Sequence, residues 1–355
     1  MNLQCAPFFR RLVWPFACPD DGIRCGIQSR NVEFRKFEAG PEDDGRRADR
    51  VIRRLLPDER LSSVYGALRK GFIRINDKRI KPETHVASGD VLSVADFLLA
   101  QKDAAPAESS GKNVLPYEII FKNEHFLVIN KPYDISVQQA GAGRLSLAET
   151  VAAYYRSAGK SGAASLSFTP GPLHRLDRKT TGILFFSWSL EGAQWFSRQM
   201  AAHGLEKKYL ALVQGILSSA EEWEDFIEKE DDSRPSFHTV RIVQSGGKCA
   251  HTEAEPVSSG TYNGRPVTLV KFTISTGRMH QIRAQAAFRG FPLLGDTAYG
   301  GAAIHEKQDF FLHAYEVRIP GNTLGLPRAL EAPLPVFFNN MLNKTLINPE
   351  NSSII

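Results

Sequence analysis

The first regular pattern of apolar and polar positions along the chain is helical. Apolar residues recur every three or four positions in "ADRVIRRLL", which ends before Pro57, and again in "LSSVYGALRKG", and this spacing predicts two helices. Gly71 closes the second helix, as glycines commonly do. "FIRIN" then alternates as a strand does, and "RIKPETHVASGDVLSV" predicts a turn and a further strand. Together they form a small helix–helix–strand–turn–strand unit.

Stronger patterns follow "AQKDAAPAESSGKN" (residues 100–113), a small, polar, proline-containing stretch typical of a linker. Helices are predicted in "SLAETVAAYYRSAG", from Ser189 to Gly204, and from Gly277 to Gly290. Strands are predicted in "YEIIFKNEHFLVINKP", "ILFFSW", "KKYLALVQG", "PVTLVKFTIST" and "DFFLHAYEVRIP". Helices and strands mix without a βαβ rhythm or a glycine-rich phosphate loop. We therefore expect an α+β protein, with a small α/β module followed by a mixed, largely antiparallel sheet flanked by helices.

These patterns divide the chain into five segments. Residues 1–40 show no sustained periodicity, and we expect a poorly ordered leader at 1–44. The other segments are the small module at 45–97, a linker at 98–114, the larger domain at 115–340 and a C-terminal tail at 341–355. No apolar run approaches the roughly 20 residues that cross a bilayer, and the short apolar stretch near the N-terminus is interrupted by Pro15, so neither a membrane span nor a secretory signal is expected.

Composition and cysteine usage are those of an ordinary soluble protein. Hydrophobic residues make up 42% and charged residues 23% of the chain, which is the usual balance for a globular protein. Cys5, Cys18 and Cys25 lie in the expected leader at spacings that match no zinc site, and Cys249 stands alone. We expect Cys249 to be a reduced, half-buried thiol and the protein to be cytoplasmic.

The net charge of +5 is concentrated in the small module. Between Arg46 and Asp96 the chain has twelve Lys or Arg and seven Asp or Glu, a difference of five, so this segment carries the whole excess. A local basic excess on a small module indicates a polyanionic partner. The module side chains that we expect to contact that partner are Arg69, Lys70, Arg74, Lys78, Arg79 and Lys81.

One stretch, "GPLHRLDRKTTG" (residues 171–182), places the single acid Asp177 among several cations. Nearby positive charge favours the ionised carboxylate, and an exposed loop salt bridge of little energetic value is the alternative interpretation. The stretch directly precedes a buried strand, where scaffolds often present reactive groups. Thr180 can tie such a loop by hydrogen bonds.

Two further stretches offer complementary chemistry. In "KKYLALVQG", Tyr209 could place its ring beside the carboxylate, although a half-buried strand aromatic would look the same. In "STGRMHQIRAQAAF", a helix that follows a Thr–Gly turn has free N–H groups which, with Arg278, could attract an anion. Arg283, at the margin of that helix's apolar stripe, either extends to solvent or pairs with a partly buried acid, for which Asp177 is the candidate.

Other kinds of site find no support in the sequence. The histidines are scattered without metal-ligand spacing, no Ser–His–Asp signature appears, and no second acid accompanies Asp177 as glycoside hydrolysis requires. We therefore expect no metal site.

The three stretches together resemble the RluA-type pseudouridine synthases, which isomerise uridines in structured RNAs. "HRLDRKTTG" is similar to the family's H-R-L-D-x-x-T-S-G loop, "KKYLALVQG" to its K-x-Y-x-A-x-V-x-G strand, and "TGRMHQIRAQ…GFPLLGDTAYG" to its T-G-R-x-H-Q-I-R segment with G-x-P-x-x-G-D-x-x-Y-G. The resemblance runs from about residue 115 to 320, and the basic unit resembles the alpha-L RNA-binding module that precedes many of these enzymes.

The resemblance implies roles for individual residues. Asp177 matches the essential aspartate acting at C1′ of the uridine, either by direct attack or by proton abstraction in a glycal route. Tyr209 matches the tyrosine that stacks on the uracil, and Arg283 the arginine that orients the aspartate. Arg175 matches the side chain that fills the vacated stack, and Ile282 the aliphatic wall. The remaining expected substrate contacts are His174, Thr180, Arg278 and His280.

The pattern departs from the family at three positions. Thr181 stands where serine is usual, which keeps the hydroxyl, whereas Met279 and Gln285 replace a typical threonine and histidine near the expected pocket. These last two put individual substrate contacts in doubt, but not the chemistry.

The resemblance therefore implies a cofactor-free, monomeric RNA pseudouridine synthase that flips its target base. Large-subunit ribosomal RNA is the expected substrate. One alternative is an inactive RNA-binding or ribosome-assembly protein on the same scaffold, which would need none of Asp177, Tyr209 and Arg283. Another is an RNA N-glycosylase, which would need a second acid to activate water, and the sequence offers none.

Overall fold

The computed structural model describes residues 32–56, 59–99, 114–138, 145–157, 166, 168–230, 239–304, 306, 308–321 and 324–345. Within these ranges the helices are α1 (Ala48–Leu55), α2 (Leu61–Lys70), α3 (Leu147–Tyr155), α4 (Leu190–Ala201), α5 (Gln281–Phe288) and α6 (Val336–Thr345). The strands of the N-terminal module are β1 (Phe34–Glu38), β2 (Arg46–Arg47), β3 (Ile73–Ile75), β4 (Lys78–Arg79), β5 (His85–Val86) and β6 (Val91–Ala95). The strands that follow are β7 (Ile119–Lys122), β8 (Phe126–Lys131), β9 (Thr181–Ser187), β10 (Glu206–Gln214), β11 (Glu221–Lys229), β12 (Val240–Val243), β13 (Lys248–Tyr262), β14 (Arg265–Ile274), β15 (Leu312–Arg318) and β16 (Ala329–Glu331).

The N-terminal module has its own hydrophobic core. Its main sheet has the antiparallel order β1–β6–β3–β4, and β2 pairs with β5 beside it. Ile52 of α1, Leu68 of α2 and Leu92 of β6 are fully enclosed in that core. The helical spacing of the apolar residues therefore serves burial against the sheet.

The prediction of a poorly ordered leader at 1–44 is wrong for its last part, which contains β1. The strand β1 pairs with β6 along its whole length, from Phe34 opposite Ala95 to Glu38 opposite Val91. A five-residue strand with three charged residues carries too little alternation to be recognised from sequence. Glu42 Oε1 also accepts a hydrogen bond from Leu190 N at the start of α4. Residues 1–31, with Cys5, Cys18 and Cys25, lie outside the described residues, as do Pro57 and the linker residues 100–113.

The larger domain is built on a ten-stranded sheet with the order β12–β11–β13–β14–β10–β15–β9–β8–β7, and β16 pairs with β15. Among the described strands the pairings are antiparallel except that between β15 and β9. The α+β fold with a largely antiparallel sheet is confirmed. No helix among the described residues is long and apolar enough to cross a membrane.

Helices cover both faces of this sheet, which explains the continuous apolar runs in the central strands. Tyr209 and Ala211 of β10 face the core that contains Ile282 of α5, whereas Leu210 and Leu212 face the core that contains Phe338 of α6. The strand β9 is likewise buried at all seven positions. A strand covered on both faces needs no polar alternation.

Gly182 allows the strands β9 and β15 to approach closely just after the Asp177 stretch. Its φ of +108° is disfavoured for residues with a side chain, and a Cβ there would lie 2.2 Å from the carbonyl oxygen of Ala314. The glycine of "TTG" is therefore required by packing, and it fixes where the loop ends and the strand begins.

Three element boundaries differ from the sequence prediction. The helix α5 begins at Gln281 instead of Gly277, because His280 adopts a left-handed conformation and the Gln281 side chain accepts the N–H of Arg278. The helix α6 runs to Thr345, so residues 341–345 are not part of a tail. Leu99 is buried in the module core, two residues beyond the expected module boundary. The division into domains as a whole stays a prediction.

Candidate active site

The segment from 171 to 180, which we call the Asp177 loop, begins as an extension of the sheet. Leu173 N donates to Phe185 O, and Ser187 N donates to Gly171 O, so the first residues pair with β9. The chain then closes a turn in which Thr180 N donates to Asp177 O at 3.1 Å. Asp177 therefore lies on a tight turn directly before a fully buried strand, and this rigid backbone fixes the position of its side chain.

Lys131, at the end of β8, anchors this turn from below. Its side chain is fully buried, and its Nζ donates to Pro132 O at 3.0 Å, Arg178 O at 2.8 Å and Thr180 O at 2.7 Å. Burial lowers the pKa of Lys131 to about 7, while the nearby charge of Asp177 favours the ammonium. All three ammonium donors are thus used to hold the backbone on either side of Asp177.

The cations that neighbour Asp177 in sequence do not pair with it. Arg178 Nε lies 3.1 Å from Asp134 Oδ1, and Lys179 forms an ion pair with Asp309. The partner of Asp177 is Arg283, as predicted, whose Nη1 lies 3.4 Å from Asp177 Oδ2. Surface salt bridges in this loop are therefore made by Arg178 and Lys179. Asp177 instead faces α5, where Arg283 lies.

Arg283 is held more tightly by a second acid, Asp296, to which sequence reasoning assigned no role. Its Nε lies 2.7 Å from Asp296 Oδ2 and its Nη2 2.9 Å from Asp296 Oδ1, a two-point contact between side chains that are 8% and 2% exposed. The guanidinium also lies 4.8 Å from the ring centre of Tyr299 and 4.6 Å from that of Phe310. These contacts fix the plane of Arg283 and leave Nη1 for Asp177.

His280 is the second group facing Asp177, and its tautomer follows from its neighbours. Val240 N donates to Tyr299 Oη at 2.9 Å, so the Tyr299 hydroxyl proton is free to be donated to His280 Nδ1, 2.8 Å away. In the neutral ring the proton then resides on Nε2, which lies 3.6 Å from Asp177 Oδ2. Burial lowers the pKa of His280, which favours this neutral form.

These groups line a small cavity of about 60 Å³ at the surface of the larger domain. Tyr209 of β10 is 7% exposed and forms part of its wall. Burial, with the charge of Asp177 as a smaller cause, raises the pKa of Tyr209 above its usual range, so the phenol keeps its proton. The predicted site residues at this cavity are Arg175, Asp177, Thr180, Tyr209, Arg278, His280, Ile282 and Arg283.

His174 is the predicted substrate contact that does not line the cavity. Its ring stacks on Phe196 of α4 at 5.9 Å, and its Nε2 accepts a hydrogen bond from Phe185 N. Burial lowers the pKa of His174 to about 3, which suits a neutral acceptor. The structure therefore gives His174 a role in holding the Asp177 loop against α4 and β9.

Gln285 and Met279, the two departures from the family pattern, also lie away from the cavity. Gln285 is fully buried, accepts from Thr252 Oγ1 at 2.6 Å and donates to Asp225 Oδ2 at 2.7 Å. Met279 packs with Ile227 and Val240 of the hairpin β11–β12. Both residues therefore pack on the side of α5 that faces away from the cavity. They do not form the cavity wall, so they do not change the expected substrate contacts there.

The anion site expected at the start of α5 is altered by the later start of the helix. Arg278 N donates to Gln281 Oε1, and Arg278 Nε donates to Cys249 O at 2.8 Å. Arg278 nevertheless lines the cavity. Cys249 is free and half-buried, as predicted. Within the described ranges, no group of three or more His, Cys, Asp or Glu could hold a metal ion.

The signals for the missed residues were present in the sequence. Asp296 and Tyr299 both belong to "GDTAYG", which follows α5, and Lys131 precedes a proline directly after a buried strand. A single sequence does not reveal that an acid or a lysine far away along the chain lies close to the same cavity, because such contacts depend on the three-dimensional path of the chain.

The chain is similar to known pseudouridine synthases in sequence. The sequence profile of the RNA pseudouridylate synthase family matches residues 125–288, a range that includes the Asp177 loop, β10 and α5. The ribosomal large subunit pseudouridine synthase C of Vibrio vulnificus is 29% identical over 301 residues, covering 82% of this chain and 90% of that protein. The protein of the same name from Escherichia coli K12 is 27% identical over 318 residues, covering 85% and 94%.

Solved structures carry the same fold. Human RNA pseudouridylate synthase domain containing 1 aligns with a TM-score of 0.53 at 26% identity, covering 67% of this chain and 91% of that one. Human RNA pseudouridylate synthase domain containing 4 aligns with a TM-score of 0.50 at 21% identity, covering 64% and 92%, a likeness of fold. With its three motifs brought to one cavity on this fold, the chain is similar to the RNA pseudouridylate synthases over residues 125–288 and is an RNA isomerase.

Proposed function

We propose that this enzyme converts specific uridines of large-subunit ribosomal RNA to pseudouridine, with Asp177 as the essential carboxylate. The reaction breaks the N1–C1′ bond of the uridine, turns the uracil and joins C5 to C1′; C5 loses its proton and N1 gains one. Atoms balance within the nucleotide, so no co-reactant is required. Direct attack of Asp177 on C1′ and a glycal route both use the same carboxylate.

The observation that carries the proposal is the isolation of Asp177 between fixed donors at a cavity. Arg283 Nη1 and His280 Nε2 lie 3.4 Å and 3.6 Å from Asp177 Oδ2, and Lys131 holds the backbone beneath it. Such preorganisation positions one oxygen and leaves the other for the sugar. A protein that only binds RNA has no use for a carboxylate oriented in this way.

The walls of the cavity suit an extruded base. Tyr209 supplies a ring face and Ile282 an aliphatic surface, and the protonated phenol can serve as a hydrogen-bond donor. Extrusion costs a few kcal/mol, and the exposed side chain of Arg175 at the cavity can fill the vacated position in the helix. Thr180 Oγ1, which is buried with no hydrogen-bond partner among the described residues, is a further group available to substrate.

The N-terminal module supports a structured RNA as the substrate. The side chains of Arg69, Lys70, Lys78, Arg79 and Lys81 are exposed, and Arg74 is half-buried beside the ring of Phe34. The relatives named for the ribosomal large subunit favour its RNA as the target. We further propose that the enzyme acts as a monomer in the cytoplasm.

Mapping of pseudouridines across total RNA, with and without the gene, tests the substrate. We expect one or more large-subunit ribosomal uridines to lose the modification in the deletion strain and to regain it with the wild-type gene. Loss confined to transfer RNA would contradict the proposed substrate, but not the isomerase activity. Release of free uracil from RNA by the purified protein would instead indicate an N-glycosylase.

A further inference from the structure

The strand β10 carries two adjacent buried lysines that differ in their partners. Lys208 is 8% exposed, and its Nζ lies 3.2 Å from Glu316 Oε2 and 3.3 Å from Glu206 Oε1. Lys207 is 7% exposed, yet no described residue forms an ion pair or hydrogen bond with its ammonium. A buried charge without a partner is costly, so Lys207 calls for an explanation that Lys208 does not.

The groups around Lys207 are neutral or positive. Burial lowers the pKa of Lys207 to about 8, and the positive charge of Arg278 contributes to that lowering. His174 is the other titratable neighbour, and it is held neutral. Gly277 leaves space in front of the amine, since a Cβ there would lie 3.7 Å from Lys207 Nζ. The described groups around Lys207 therefore supply no negative charge, which an anionic ligand would supply.

The position of Lys207 places that anion beside the proposed base pocket. Lys207 lies two residues before Tyr209, on the same face of β10. Its cross-strand neighbour on β14 is Ile274, which lines the cavity, as does Arg278. Lys207 itself does not line the cavity, but it neighbours Ile274 and Arg278, which do, next to the space assigned to the uracil.

We propose that Lys207 and Arg278 bind one phosphate of the RNA backbone next to the extruded uridine. This inference rests on the proposed function, since it presumes that RNA enters the cavity. A phosphodiester carries the full negative charge that the pair lacks. Lys207 acts as a point charge at the base of the site, while Arg278 is oriented by its hydrogen bond to Cys249 O. Binding the phosphate removes the cost of the unpaired ammonium at the moment when the base is extruded.

Two adjacent methionine substitutions form a charge-matched test. Lys207→Met removes an unpaired buried charge, so we expect the melting temperature to stay the same or rise. The KM for a large-subunit ribosomal RNA transcript should rise about tenfold, as for the loss of one charge-assisted hydrogen bond, with kcat little changed. The slope of log Kd against log salt should fall by about 0.7 to 0.9, the value of one phosphate contact. Lys208→Met, which leaves Glu316 without its lysine, should lower the melting temperature and leave the salt slope unchanged.

The outcomes separate this site from the proposed function. Absence of pseudouridine formation by the wild-type enzyme would contradict the proposed function itself. A wild-type enzyme that is active, with a Lys207→Met variant of unchanged KM and salt slope, would overturn the phosphate site alone.

A second arm uses the wild-type protein and a stem–loop RNA that carries the mapped uridine. A neutral methylphosphonate placed at each of the two flanking linkages in turn should raise the wild-type KM about tenfold at one of them. Lys207→Met, which keeps Arg278, should respond less to that same change than the wild-type enzyme does. No effect at either linkage in the wild-type enzyme would also overturn the proposal, even if the variant does not fold.

Discussion

Arg283 Nε lies 2.7 Å from Asp296 Oδ2, whereas the closest approach of the Arg283 guanidinium to Asp177 is 3.4 Å. The shorter contact is made to the acid that is 2% exposed and the longer one to the acid that is 21% exposed. Asp296 therefore determines the orientation of Arg283, and Arg283 in turn determines that of Asp177. In the absence of RNA, Arg283 thus holds the Asp177 carboxylate only by the 3.4 Å contact to its Oδ2.

Asp296→Asn is expected to damage both stability and catalysis. Removal of one partner of a buried ion pair costs about 3–5 kcal/mol of unfolding free energy, and a freed Arg283 would no longer present Nη1 to Asp177. Urea denaturation and single-turnover kinetics measure the two effects. Asp225→Asn is the matched control, because Asp225 pairs with Arg289 at 2.9 Å behind α5; it should lower stability with kcat retained. Equal losses of kcat in both variants would contradict the role of Asp296.

Substitutions at His280 test the contact between its Nε2 and Asp177 Oδ2, which lie 3.6 Å apart. Glutamine can place an amide N–H near the position of Nε2, whereas asparagine keeps an acceptor near Tyr299 Oη but has no donor within reach of Asp177. We expect His280→Asn to lose about tenfold or more in kcat, as for one charge-assisted hydrogen bond, and His280→Gln to lose less. Similar kcat values for the two variants would show that the donor to Asp177 is not used.

The sequence predicted most of the central strands and the convergence of Asp177, Tyr209 and Arg283. These features follow from local patterning and from motifs whose order is fixed along the chain. The start of α5 was misplaced, because the left-handed His280 and the side-chain cap from Gln281 interrupt a helical pattern that is otherwise continuous. Asp296 and Lys131 were missed, because Asp296 lies in a turn after α5 and Lys131 at the end of β8, and the apolar pattern that predicts helices and strands does not mark either residue.

The basic surface of the N-terminal module is expected to set the salt dependence of RNA binding. Replacing Lys78, Arg79 and Lys81 together by alanine should reduce the slope of log Kd against log salt by about 2 to 3, because each phosphate contact contributes about 0.7 to 0.9. The module also has a groove of about 460 Å³ on the α1 side, lined by Arg46, Arg50, Arg53 and Arg54. Alanine at Arg50, Arg53 and Arg54 is the comparison. If only this second variant reduces the slope, the predicted contact surface is wrong.

His313 should make the protein less stable in acid. It is fully buried, with Thr181 Oγ1 2.8 Å from its Nδ1 and Ala332 O 3.2 Å from its Nε2, and burial lowers its pKa from 6.5 to about 4. Between these two values the unfolded chain binds a proton that the folded protein does not, so stability falls as the pH drops from 6.5 to 4, by about 3 kcal/mol for this group. His313→Gln should flatten that part of the curve in urea titrations at several pH values. If the free energy of unfolding depended on pH in the same way in both proteins, the role assigned to His313 would be contradicted.

The central claim is that Asp177 carries the isomerisation, and tritium release from RNA labelled at C5 of uridine measures this directly, because C5 loses its hydrogen when it joins C1′. We expect Asp177→Asn to abolish release from a large-subunit ribosomal RNA transcript while its Kd for the same RNA stays close to that of the wild type. Asp134→Asn, which removes the exposed partner of Arg178 in the same region, should retain release. Tritium release by Asp177→Asn at the wild-type rate would contradict the account.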